Sequence, residues 1–221
     1  MHLGVDTCLF DFDGCLSDSA ASVVFAMNET LTSRGLRGIE IAEMSPYIGP
    51  PLLLSMRSML GDRGADPAFA QEVVDDYRTR FERVALDMVA TYQGVPDLLE
   101  KLSSEVRLGV VTSKPAVYAE PLIERLGFAH FFEFVEGGSL DETEGKPETL
   151  ARALQRLGAI EPARVAMIGD RRFDIEAAHA NGTSSIGVTW GFGDRTELEA
   201  AGATLIVDHP HEIASAVLGG S

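Results

Sequence analysis

A short apolar run near the N-terminus ends in two acids and a glycine, and this constrains the fold more than any other stretch. Residues Val5-Asp6-Thr7-Cys8-Leu9-Phe10 lead into Asp11-Phe12-Asp13-Gly14-Cys15-Leu16. A run this short, with β-branched and aromatic residues, reads as a buried strand of a parallel sheet covered on both faces. Burying two charges inside such a strand is expensive. Asp11 and Asp13 are therefore expected at the strand's carboxyl end, where open α/β sheets build their sites. One aspartate there can act as a nucleophile. The other, two residues on, can protonate a leaving group and then activate water. Together they can share a hard cation that takes oxygen ligands.

Beyond this strand the pattern changes twice. Residues 20–34 carry Val23, Val24, Met27 and Leu31 at helical spacing, with Gly35 as a stop. A short helix is expected over 39–45, a turn at 47–51, a helix over 52–60 and a longer helix from Asp66-Pro67 to about Met88, striped by Phe69, Val73, Tyr77 and Phe81. No strand pattern interrupts 19–90. From 95 onward helices alternate with strands, the strands expected over 106–111, 131–135, 165–168, 184–188 and 204–207. Such alternation implies right-handed crossovers and a parallel sheet. The helical block is then a second domain inserted after the first strand.

Composition narrows the partners. The chain of 221 residues, 45% of them hydrophobic, can bury a large core. Its formal charge of -16 argues against a nucleic-acid polymer or an anionic membrane surface as partner. Two cysteines, Cys8 and Cys15, lie in and just after the first strand and point to a reducing compartment rather than a disulfide. No run approaches the roughly 20 apolar residues of a membrane span. The expectation is a cytoplasmic protein, with monomer and homodimer both open.

Three strand ends carry chemistry that should meet on one sheet edge. The first brings Asp11 and Asp13. The second brings Thr112 and Ser113, whose hydroxyls and N–H groups can hold a phosphoryl oxygen. The third ends in Gly169-Asp170-Arg171-Arg172-Phe173-Asp174, where Asp170 and Asp174 are spaced to share a helical face. Asp170 suits a metal and Asp174 its support. Gly145-Lys146-Pro147 adds a cation at a helix start, where anions are favoured. The set suits phosphoryl transfer, which needs a nucleophile, a metal and donors around the transferred oxygens. Other features carry less. His179 reads as packing, His209-Pro210-His211-Glu212 lacks zinc spacing, and Gly145-Lys146 lacks the Ser/Thr of a P-loop.

In this order, Asp11-Phe12-Asp13-Gly14, Thr112, Lys146 and Gly169-Asp170 with Asp174 resemble the four motifs of the haloacid dehalogenase superfamily. The resemblance spans essentially the whole chain. It implies a Rossmann-like, doubly wound parallel sheet core over 1–18 and 91–221, with a small α-helical cap over 19–90. It further implies Asp11 as nucleophile and Asp13 as general acid/base. Mg2+ would be held by Asp11, the backbone carbonyl of Asp13, and Asp170. Gly14, Thr112, Ser113 and Lys146 would bind the phosphoryl group. The segments at 48–52, 112–115, 138–141, 168–171 and 187–193 resemble the phosphoglycolate phosphatase and 5′-nucleotidase-like branch. That implies a Mg2+-dependent phosphatase acting on a small phosphorylated metabolite. One departure is Cys15, where this family usually has threonine; a thiol is a poorer donor.

Within the superfamily, dehalogenase chemistry needs no acid at Asp13. Phosphonate cleavage needs a cap lysine, and 19–90 has none. A phosphomutase of the β-phosphoglucomutase type and a non-catalytic binding protein on the same fold remain as alternatives. In the cap, Gly49-Pro50 is expected to face the cleft, with Arg57 and Arg63 as the nearest cations. Arg171 is a candidate contact to substrate or cap.

Overall fold

The computed structural model describes residues 2–141 and 144–219. Strand β1 (Thr7–Phe10) has all four residues buried and pairs in parallel on both sides. A strand buried on both faces and hydrogen-bonded along both edges has little polar duty, which suits Cys8, Leu9 and Phe10. The chain then turns through Asp11–Cys15 into the short β2 (Ser17–Asp18). The helical block follows: α1 (Ala20–Thr32), α2 (Leu52–Asp62) and α3 (Ala70–Met88). Each buries one stripe, as in α3, where Val73, Val74, Tyr77, Phe81 and Ala85 recur at helical intervals. The two-residue strand β3 (Ala90–Thr91) pairs antiparallel with β2, so the block leaves and rejoins the sheet at one point.

The remainder alternates: α4 (Val95–Ser103), β4 (Arg107–Thr112), α5 (Ala116–Arg125), β5 (Val135–Gly137), α6 (Lys146–Leu157), β6 (Val165–Gly169), α7 (Arg172–Asn181), β7 (Ser184–Val188), α8 (Arg195–Ala200), β8 (Leu205–Val207) and α9 (Pro210–Leu218). All five pairings in the six-stranded sheet are parallel, in the order β5-β4-β1-β6-β7-β8. Numbered within the sheet this is 3-2-1-4-5-6, the doubly wound Rossmann order. The order reverses beside β1, between it and β6. Phe10 lies opposite both Val110 and Ile168, so two residues further on Thr112 and Asp170 stand level with Phe12. The register alone therefore gathers the three strand ends on one edge.

Three expectations over 19–138 differ from the structure. Phe69, expected in the stripe of the long helix, is exposed in the 3-10 turn Pro67–Phe69 ahead of α3. The segment 39–45 forms no α-helix but two 3-10 turns, Ile41–Glu43 and Ser45–Tyr47. Pro46 lacks the N–H that a continuing helix needs. The strand expected over 131–135 begins later, at Val135. Ala129–Phe131 is a 3-10 turn, and the apolar run serves packing, with Phe132 edge-on to Phe10 at 6.3 Å between ring centres. Among the described residues, no helix is long and apolar enough to cross a membrane.

Phe10 is 1% exposed and sits between β4 and β6 at the last residue before the acids. Phe10→Ala should lower the unfolding free energy by about 3–5 kcal/mol, the usual result of emptying a buried aromatic site. A urea titration followed by circular dichroism measures it as a fall in midpoint at constant slope.

Candidate active site

The site is assembled around Lys146, the first residue of α6, whose side chain is 2% exposed. Its ammonium lies 2.5 Å from an oxygen of Asp11 and 2.5 Å from an oxygen of Asp174. Asp11 takes its second bond from the N–H of Phe12 at 2.7 Å. Asp174, in the first turn of α7, also accepts the N–H of Arg171 at 3.0 Å. Lys146 thus meets the acid itself rather than only the space a phosphoryl group would take.

Asp170 follows directly on β6 and is fully buried. It stands in the loop ahead of α7, not on the helix, so helical spacing is not what joins it to Asp174. The carboxylate of Asp174 instead turns back to cap its own helix. One oxygen of Asp170 accepts the N–H of Phe192 at 2.7 Å; the other has no partner. Asp11, Asp170 and Asp174 each bring a carboxylate oxygen within 4.8 Å of the others. Glycines make room for them. Gly14, at φ +82°, and Gly191 both press against the Asp170 carboxylate, where any Cβ would collide with it. The φ of Gly14 would strain any other residue as well.

Three buried carboxylates face a single buried ammonium, which leaves the cluster short of positive charge. Its electrostatics follow. Burial pushes Asp11 up to about 6 against the pull of Lys146, with Asp174 and Asp13 adding to the rise. Burial, then Asp174 and Asp11, hold Asp170 well above the usual carboxylate range. Burial alone would lower Lys146, but Asp11 and Asp174 outweigh it and keep it charged. A divalent cation with oxygen ligands would meet the lone oxygen of Asp170 and supply the missing charge. On donor chemistry and charge, the residues fit a hard cation.

Asp13 is held apart from this cluster. Lys114, two residues past β4, reaches it at 2.9 Å and also lies over the ring of Phe81 in α3, 4.6 Å from its centre. Sequence reasoning gave Lys114 no role, although it follows directly on the Thr112-Ser113 strand end that was singled out. Thr112 is buried, and its hydroxyl accepts the N–H of Lys114 at 3.3 Å. Ser113 donates to the carbonyl of Gly49 at 2.9 Å, so its side chain fastens the helical block.

Several other expected residues are resolved by position. Gly49 and Pro50 do line the cleft beside Asp11 and Asp13. Arg57 does not: on α2 the buried side is Ser55, Met56, Met59 and Leu60, and Arg57 falls on the exposed one. Arg63 is equally remote, spending its donors on the carbonyls of Arg37, Gly38 and Met59. Arg171 meets the helical block, donating to the carbonyls of Ser45 and Ile48, while Glu197 holds its Nε at 2.9 Å. Cys15 turns its thiol into the sheet toward the carbonyl of Ile168, 3.6 Å away. Burial, then Asp11 and Asp170, push that thiol up, so it stays neutral. Trp190 donates from its ring nitrogen to the carbonyl of Cys15 at 3.0 Å. That bond braces the loop between the acids and β2.

Comparison with known proteins agrees with this geometry. The sequence pattern of the haloacid dehalogenase-like hydrolases matches residues 8–188. The chain is 36% identical over 193 residues to a 5′-nucleotidase of Pseudomonas aeruginosa, covering 87% of this chain and 86% of that one. It is 33% identical over 204 residues to the tyrosine-protein kinase PtkA of Mycobacterium tuberculosis, covering 91% and 67%. The crystal structure of a predicted phosphatase from Clostridium acetobutylicum superposes with a TM-score of 0.86 at 32% identity, over 95% of this chain and 96% of that one. With the acids, the lysine and the sheet order all in place, the chain belongs to the haloacid dehalogenase-like hydrolases and is a phosphoric monoester hydrolase.

Proposed function

We propose that the protein is a Mg2+-dependent phosphatase that hydrolyses a small phosphomonoester through a phosphorylated Asp11. The carrying observation is the buried cluster of Asp11, Asp170 and Asp174 around one lysine, at the point where the sheet order reverses. Asp11, Asp170 and the backbone carbonyl of Asp13 would hold the ion. Bound there, Mg2+ supplies the positive charge that offsets the carboxylates and the incoming phosphate.

The protein's own groups divide the rest. Asp11 attacks phosphorus in line, and the bond to the leaving oxygen breaks as that oxygen takes a proton from Asp13. Asp13, now a carboxylate, takes a proton from water. The resulting hydroxide attacks the phosphorus of the acyl phosphate, which frees inorganic phosphate and Asp11. Lys146 keeps the Asp11 carboxylate oriented, and its charge draws the phosphoryl oxygens. Thr112 and Ser113 border the same space, and the Thr112 hydroxyl would donate to those oxygens; the N–H of Gly14, expected to do so, is instead given to the carbonyl of Ser17 at 2.9 Å. Lys114 fixes the carboxyl of Asp13 against the mouth of the cleft. Asp174 positions Lys146.

The segment 19–90 acts in this reading as a cap over a core formed by 1–18 and 91–221. Contacts from Arg171 and Ser113 to the segment 45–49 hold it over the acids, excluding bulk water while the acyl phosphate exists. The partner is a small phosphorylated metabolite. A net charge of -16 repels nucleic-acid polymers and anionic membranes, and the local cations admit one phosphate.

Phosphate release should require Mg2+, vanish in Asp11→Asn and fall by about 10²–10⁴-fold in kcat for Asp13→Asn. A phosphate-release assay across metabolite phosphomonoesters, with and without a chelator, checks all three. One relative is named as a tyrosine-protein kinase, so acceptor transfer is followed with the same substrates. Transfer to a second hydroxyl in place of phosphate release would move the protein to the phosphomutases.

Asp170→Asn should do two separable things. It removes a buried like charge, so the metal-free Tm should rise, by about 2–4 °C for each 1 kcal/mol of relief. It should also abolish the Tm increase that Mg2+ gives the wild type. Differential scanning calorimetry with and without Mg2+ reads both effects.

A further inference from the structure

The cleft does not end at the phosphoryl site. It continues from Asp11 and Asp13 beneath the helical block as a cavity of about 120 Å3. That is of the order of an apolar cavity that takes a single aromatic ring. Its inner wall is apolar. Met27, Met44, Met56 and Met59 line it with Leu52, and the stacked rings of Tyr77 and Phe81, 5.6 Å apart, close one side. Methionine sulfurs make favourable contacts at ring edges and adapt to irregular shapes.

Polar groups in this chamber are few and placed. Ser55, on α2, lines it, is 4% exposed, and its hydroxyl has no hydrogen-bond partner. An unmet buried hydroxyl is unfavourable, and a ligand atom that can hydrogen-bond relieves it. The cations among the described lining residues are Lys114 and Arg78. Lys114 is engaged by Asp13, and Arg78 by the carbonyl of Leu140 and the ring of Tyr118. Arg57 and Arg63 lie elsewhere, as described above. A leaving group carrying its own carboxylate would bury a charge against methionine. A plain alkyl chain would satisfy the wall but leave Ser55 unmet.

We infer that the leaving group carries an aromatic or heteroaromatic ring that fills the methionine-lined chamber, with a hydrogen-bonding atom on its edge meeting Ser55. This rests on the phosphatase reading above and adds the substrate class. Two sources share the chemistry. An aryl phosphate bears the ring directly on the ester oxygen, whereas a nucleoside 5′-monophosphate sets it one sugar away.

The test is kcat/KM with Mg2+ for p-nitrophenyl phosphate, a nucleoside 5′-monophosphate, octyl phosphate, 2-phosphoglycolate and glucose 6-phosphate. One or both ring-bearing esters should exceed 2-phosphoglycolate and glucose 6-phosphate by about tenfold or more, and the better of the two identifies the source. Ser55→Ala should lower kcat/KM about five- to tenfold for the preferred ring ester, through KM, and raise it for octyl phosphate. Leu52→Lys, at a half-buried position on the same wall, should shift the ratio toward 2-phosphoglycolate. Preference for 2-phosphoglycolate or glucose 6-phosphate overturns the inference, as does an equal effect of Ser55→Ala on every substrate. Calorimetric binding to Asp11→Asn separates the two proposals. Ring esters bound there more tightly than 2-phosphoglycolate, but released by no protein, would uphold the chamber and sink the phosphatase. Ring esters bound by neither protein would overturn the chamber.

Discussion

One ammonium ties three segments of the chain together. Lys146 at the head of α6, Asp11 after β1 and Asp174 in the first turn of α7 meet within 2.5 Å contacts in a site closed to solvent. A buried ion pair contributes little net stability, because desolvation opposes the attraction, but removing one partner leaves a buried charge stranded. The cluster therefore dictates geometry more than it adds stability. Three carboxylates around one lysine are tolerable only with something further, and the lone oxygen of Asp170 shows where it would be met. The sheet register delivers Asp170 to that place, and Gly14 and Gly191 keep backbone close enough to enclose it.

The same edge organises the helical block. Arg171 adjoins Asp170 in sequence, and its guanidinium binds two carbonyls of the segment 45–48. Ser113 adjoins Thr112, and its hydroxyl binds Gly49. Lys114 reaches from Asp13 to the face of Phe81 on α3. At the ends of β4 and β6, then, one residue faces the acids and its neighbour grips the helices above. Alternation of side chains along an extended chain produces this division without extra machinery. Any motion of the block relative to the sheet has to break contacts that begin one residue from Thr112 and Asp170.

Much of this was legible in the residues. The apolar run before Asp11 could only be a doubly covered strand, and once it sat mid-sheet the acids had to leave by its carboxyl end. The helical periods of α1 and α3 were equally plain. What stayed hidden depended on tertiary contact. The aromatic run at 131–135 reads as a strand, yet Phe132 is used to cover Phe10, and backbone bonds to β4 start only at Glu133 and Phe134. Pro46 stands just past the helix expected over 39–45, and the segment closes as two 3-10 turns instead. Arg57 looked close to Gly49 along the chain, but a helix turns by about 100° per residue and carries it to the far side of α2. Lys114 and the partnerless hydroxyl of Ser55 were invisible for a different reason. Their meaning lies in which groups face them, and no spacing rule encodes that.

The site and the chamber beyond it draw on different physics, and that separation bears on selectivity. Around Asp11 the interactions are ionic and short-ranged, between buried groups. Past Asp13 the wall is methionine, leucine and stacked aromatic rings, where gain follows apolar area and shape. A chain with a net charge of -16 has little long-range attraction to offer an anionic substrate. Steering by field is weak, so discrimination among phosphate esters falls to the apolar end. Each buried methylene there is worth about 0.8 kcal/mol, or roughly fourfold in selectivity. A ring filling the space between Met56 and Phe81 accumulates several such increments, whereas a glycolate leaves most of the wall untouched.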